Sequence, residues 1–125
     1  MTRIRILLVG LPPLLRDILG EAFARETDVD VVASDATRAD MESLARETHP
    51  DVVVSGVAAV DATTAGVIRR ITPSALVIAI AVNGDRATLY GGDSPLEITD
   101  LSIDLLLRTI RAHCAEKDNT RLPPA

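Results

Sequence analysis

Cysteine, lysine and aromatic residues are scarce in this chain, and each scarcity removes a class of chemistry. Cys114 is the only cysteine, so no intrachain disulfide forms and no cysteine-rich zinc site exists. All basic residues but one are arginine, and the exception, Lys117, lies near the C-terminus. Chemistry that relies on a lysine inside the folded region therefore lacks its side chain. Phe23 and Tyr90 are the only aromatic residues. Positive charge is also in short supply: the formal net charge is -5, which argues against a general nucleic-acid surface. Long apolar runs are missing too. The longest, ILLVG near the start and ALVIAIAV at 75–82, fall far short of the ~20 residues a membrane helix needs. The opening MTRIRILLVG has no signal-peptide cleavage pattern, and the resulting expectation is a cytoplasmic protein.

What is present suits one globular domain. The chain has 125 residues, 47% of them apolar and 25% charged, enough to bury a core without covalent staples. Residues 1–116 read as the domain and 117–125, polar and ending in Pro-Pro-Ala, as a disordered tail.

The apolar pattern alternates between two periods. Ile4 to Val9 is an unbroken β-forming run that stops at Gly10, the mark of a strand buried on both faces. After Pro12-Pro13, the residues Leu14, Leu15, Ile18, Leu19, Ala22 and Phe23 recur at helical spacing. Val29 to Ala33 reads as a second strand. Thr37 is placed to cap a second helix, which ends at His49-Pro50. Asp51 to Ser55 is a third strand broken at Gly56, residues 63–71 a helix, and Leu76 to Ala81 a fourth strand. This βαβαβαβ order implies a parallel sheet covered on both faces, doubly wound by right-handed crossovers. Residues 86–100 depart from it. They are too short and too rich in Gly, Pro and β-formers for a covering helix, and read as two short strands about Gly91-Gly92-Asp93-Ser94. Ser102 caps the last helix, with Ile103, Leu106, Leu107 and Ile110 facing inward.

In their order, IRILLVGLPPLLRDIL, PDVVVSGV at 50–57, Arg69-Arg70-Ile71, SALVIAIAV at 74–82 and SIDLLLRTIRA at 102–112 resemble the receiver domain of bacterial two-component response regulators. The resemblance covers nearly the whole chain except 83–100. It implies a flavodoxin-like fold with five parallel strands in the order 2-1-3-4-5, here with the fourth helix replaced by a short β-excursion. It also implies an activity, phosphoryl transfer from a histidine kinase to an aspartate. That chemistry needs a carboxylate nucleophile, an acidic pair for Mg²⁺, a Thr or Ser hydroxyl and a Lys.

The positions that match those roles hold none of these groups. The acidic pair falls on Gly10 and Leu11, the phosphoacceptor on Gly56 and the hydroxyl on Ala81, and no lysine matches. A one-residue slip at the phosphoacceptor yields Ser55 or Val57, still no carboxylate. The resemblance therefore points to a pseudo-receiver: a kept fold, no metal, no cofactor and no catalytic residues.

Other constellations carry less. Asp35, Asp61 and Asp85 follow strand ends, where doubly wound folds bind ligands, but polar turn residues are the default there. His113 and Cys114 are adjacent on a helix, so their side chains diverge by ~100°; Cys114 fits a small core residue at the spacing of Ile110. Gly10-Leu11-Pro12-Pro13 lacks the lysine and glycine spacing of a phosphate loop, and its prolines remove amide donors. The arginines at 69, 70, 108 and 111 read as solvated helix faces. The rebuilt segment is the candidate interface, through Tyr90, Leu96 and Ile98 together with Leu105 on the last helix, because exposed edges and apolar patches recruit partners. The expected function is that of a non-enzymatic, phosphorylation-independent module acting through protein contacts, as a homodimer. The alternative is a small-molecule-binding domain that uses the vacated pocket at Gly10, Gly56 and Ala81.

Overall fold

The computed structural model describes residues 3–56, 62–81, 85–91 and 95–121. Among these residues six strands form one sheet: β1 (Ile4–Val9), β2 (Val29–Ala36), β3 (Val52–Gly56), β4 (Leu76–Ile80), β5 (Arg86–Tyr90) and β6 (Leu96–Thr99). The same residues form the helices α1 (Pro13–Ala24), α2 (Met41–Thr48), α3 (Ala62–Ile71) and α4 (Ile103–Arg121). The architecture is α/β, with a mostly parallel sheet and a broadly flavodoxin-like arrangement.

The central strands show why their sequences are continuously apolar. Every residue of β3 and β4 is buried, because helices cover both faces of the sheet. Ile6, Leu8, Val52, Val54, Ile78 and Ile80 share one core with Leu19 and Phe23 of α1 and Leu106, Leu107 and Ile110 of α4. Their chain neighbours Leu7, Val9, Val53 and Val77 turn the other way, to Met41 and Ala45 of α2 and Ala65 and Ile68 of α3. The period of two along each strand thus divides one apolar run between two cores.

The strand order is β2-β1-β3-β4-β5-β6, and this corrects the expected 2-1-3-4-5. The strands β2, β1, β3 and β4 are mutually parallel, whereas β5 is antiparallel to β4 and β6 antiparallel to β5. The physical reason is chain length. A parallel neighbour needs a crossover of a dozen or more residues, and the chain between β4 and β5 is too short to supply one, so the strand after β4 must run back beside it. The two short strands expected over 86–100 are β5 and β6, and they widen the sheet instead of covering a face of it.

Local stops follow the residue types. Pro12 precedes α1, with Pro13 in its first turn, where a missing N–H costs nothing. Thr37 leads into a 3-10 turn at Arg38–Asp40, before α2 begins at Met41. Its carbonyl accepts the Asp40 N–H at 3.1 Å, and its hydroxyl donates to the Asp40 carboxylate at 2.8 Å. His49 ends α2 in the left-handed region, with φ 46°, ahead of Pro50. Ser102 caps α4 as expected: its Oγ accepts the Leu105 N–H at 3.1 Å. The helix then continues to Arg121, beyond residue 117 where the sequence suggested a tail. No proline or glycine interrupts 115–121, and the first breaker is Pro123.

Candidate functional site

Open parallel sheets bind ligands beyond the carboxyl ends of their strands, and the four positions marked by the receiver resemblance gather at that edge. Gly10 follows β1, Gly56 closes β3 and Ala81 follows β4. Gly10 has φ 58°, a left-handed conformation that glycine adopts without penalty. This turn carries the Gly10 carbonyl over β3. A Cβ built on Gly56 would stand 2.9 Å from the Gly10 oxygen and 3.9 Å from Pro12 Cδ. The space beside Gly56 is therefore taken by backbone, and the pocket expected there is closed on that side. Leu11 packs half-buried against the α1/α4 core. Ala81 is half-buried, and its N–H donates to the Arg86 carbonyl at 2.9 Å.

The polar groups nearby are engaged in structure. Ser55 is the buried polar residue of β3, and its hydroxyl lies 3.4 Å from the Ile78 carbonyl. Asp85 is exposed at the start of β5, and Asp61 lies outside the described residues. Among the described residues, no group of three or more His, Cys, Asp or Glu could hold a metal ion. Cys114 packs half-buried on the α1/α4 core, and His113 Nε2 lies 2.9 Å from the Ser74 carbonyl, which ties the ring to the loop before β4.

Two arginines read as solvated are structural. Arg111 Nε reaches Asp28 Oδ2 at 2.9 Å and its Nη2 reaches Oδ1 at 3.0 Å, while Nη2 also pairs with Glu26. This fork joins α4 to the residues that enter β2. Its hydrogen bonds hold the Asp28 carboxyl below its ordinary range and raise the Arg111 guanidinium further above its own. Arg69 is half-buried on α3, with Nη2 lying 3.4 Å from the Gly91 carbonyl.

The four candidate interface residues do not form one surface. Leu96 and Ile98 stand on one face of β6, Leu96 exposed and Ile98 packed at the margin of the α1/α4 core. Tyr90 lies on the opposite face, half-buried against the α2/α3 core. Leu105 is half-buried on α4. Among the described residues the edge strand itself is open, since β6 ends the sheet and its strand neighbour is β5.

A feature that the sequence pattern concealed lies between α1 and α4. Leu14 is 74% exposed, Ile18 43% and Ile103 38%, although each carries the spacing of a core residue. Ile18 and Ile103 border a half-open cavity of about 300 Å³, whose floor is formed by the buried Leu19, Ile80 and Leu106. The width of the apolar stripe on α1 was the available signal. Leu15, Leu19 and Phe23 meet the core, while Leu14 and Ile18 lie ~100° around the helix from Leu15 and Leu19, beyond what the core takes up.

Compared with protein-family models and with curated proteins, the chain matches none. Among the described residues no helix is long and apolar enough to cross a membrane.

Proposed function

We propose that this chain is a receiver-like module of bacterial signalling that has lost phosphoryl transfer and acts by protein–protein contact, with a second copy of itself as its partner. The observation that carries the first half is the contact between Gly10 and Gly56. The end of β3 bears no nucleophile, and the neighbouring carbonyl oxygen occupies the place where one would begin. Gly10, Leu11 and Ala81 add no carboxylate or hydroxyl to hold a metal or a phosphoryl group. The second half is supported by β6. Among the described residues its outer N–H and C=O groups have no strand to pair with, and Leu96 stands exposed beside them. An edge of this kind pairs with a symmetry mate so that one two-fold contact serves both copies.

The test has two arms. Incubation with acetyl phosphate and Mg²⁺, followed by intact-mass measurement, is expected to leave the mass unchanged; stoichiometric, base-labile labelling would refute the loss of phosphoryl transfer. Sedimentation equilibrium is expected to show a reversible dimer, and a chain that stays monomeric at high concentration eliminates self-association.

A further inference from the structure

We propose that the cavity between α1 and α4 is a binding site for a small, uncharged, largely apolar molecule. Protein interiors are packed to the density of organic crystals and leave few voids larger than a water molecule. Here about 300 Å³ stays open to solvent above three core residues, Leu19, Ile80 and Leu106. That volume stands at the lower end of the range for ligand sites, which are concave, mainly apolar and supplied with few polar groups. It is too small for a helix and suits a compact molecule. The position agrees with the chemistry. Ile80 is the last residue of β4, and Leu101 and Ser102 lead from β6 into α4, so the cavity opens beyond the carboxyl ends of these strands.

The lining also sets the class of ligand. Among the described residues no charged side chain lines the cavity, and Ser102 is the only polar one. The Ser102 Oγ already accepts the Leu105 N–H, leaving its hydroxyl hydrogen as one donor for a ligand carbonyl or ether oxygen. An anionic headgroup is disfavoured. The first turn of α4 already carries Asp104, whose charge offsets the positive end of the helix and is itself held by Arg108 at 2.8 Å. The exposed rim residues Ile18 and Ile103 gain burial when the cavity fills, which is the driving force expected for such a ligand.

The site is separate from the edge strand β6, so it does not depend on self-association through that strand. N-phenyl-1-naphthylamine, an uncharged dye that fluoresces in apolar surroundings, serves as the probe for the full chain. The expected result is a saturable, one-to-one fluorescence increase, displaced by 1-octanol but not by octanoate at neutral pH. Methyl resonances of Leu19, Ile80 and Leu106 should shift with the same midpoint. Ile18→Trp and Ile103→Trp place a large side chain at the rim of the cavity from already exposed positions. Each is expected to weaken dye binding tenfold or more with circular dichroism unchanged, while Leu96→Asp binds the dye as the wild type does. The proposal is overturned by the absence of saturation, by equal binding in both tryptophan variants once folded, or by shifts confined to methyls elsewhere. It is also overturned if dye binding is lost as the chain is concentrated, which would show a second copy filling the groove. Displacement by octanoate as readily as by octanol would overturn the uncharged class.

Discussion

An alanine at position 56 would bring its Cβ to 2.9 Å from the Gly10 carbonyl oxygen, closer than such atoms approach without backbone movement. Gly56→Ala is therefore expected to lower stability by about 1–3 kcal/mol, the usual cost of overpacking a filled site, read from urea denaturation. Gly56→Asp should lower it further, since it adds a carboxylate to a buried position, and should remain unlabelled by acetyl phosphate. A second single residue, Arg111, ties α4 to Glu26 and Asp28. Because Asp28 has its folded pKa depressed below 3.8, its contribution is complete above the unfolded value and is lost as pH falls through the folded one. Arg111→Met should accordingly melt below the wild type near pH 7, and the gap should narrow as acid protonates Asp28. Added salt should narrow it as well, since the pair is partly exposed. Thermal melts of both proteins across this range check the sign.

At the scale of elements, the strands and helices up to β4 were legible because their apolar spacing admits one period each. The runs Ile4–Val9, Val52–Gly56 and Leu76–Ile80 can be buried on both faces only under two layers of helices. The candidate positions Gly10, Leu11, Gly56 and Ala81 were legible as absences, since a missing carboxylate is visible in the residue type itself. The closing of the gap by the Gly10 carbonyl was not, because it depends on a backbone angle rather than on a side chain. Nor was the exposure of Leu14, Ile18 and Ile103, because helical spacing tells which residues share a face but not how much of that face the sheet covers. The direction of β5 followed from chain length, yet the sequence reading kept the parallel order of the family it resembled. Two predictions belong here. Ser102→Ala removes the cap of α4 and should cost about 1 kcal/mol in denaturant unfolding. Leu96→Asp should weaken the proposed dimer strongly, because one buried leucine contributes ~1.5–3 kcal/mol and each copy loses one. Leu96 is a better probe than Ile98, whose side chain also packs on the core. Sedimentation equilibrium that gives the same dimer constant for Leu96→Asp and wild type would place the contact elsewhere.

For the whole molecule, burial is graded from the centre outward. Strands β3 and β4 are completely buried, β5 partly, and β6 is largely exposed. Native-state hydrogen exchange should follow that order, with amides of β3 and β4 exchanging only on global unfolding and those of β6 through local opening. Exchange of β6 at the global rate under monomeric conditions would contradict it.

The hairpin β5–β6 also cancels its own direction. The chain leaves β4 at the carboxyl edge, descends along β5, climbs along β6 and arrives at the same edge to begin α4. Ala81 and Leu101 stand on either side of the start of β5, their N–H groups bonded to the carbonyls of Arg86 and Asp85. Two strand spacings separate them, about 10 Å, a span that two or three residues bridge. The segment between them is thus a detour whose entrance and exit face each other. What the detour adds lies between those two points: Ala87 and Leu89 return apolar side chains to the α1/α4 core, so the segment seals the flank of β4 without redirecting the chain.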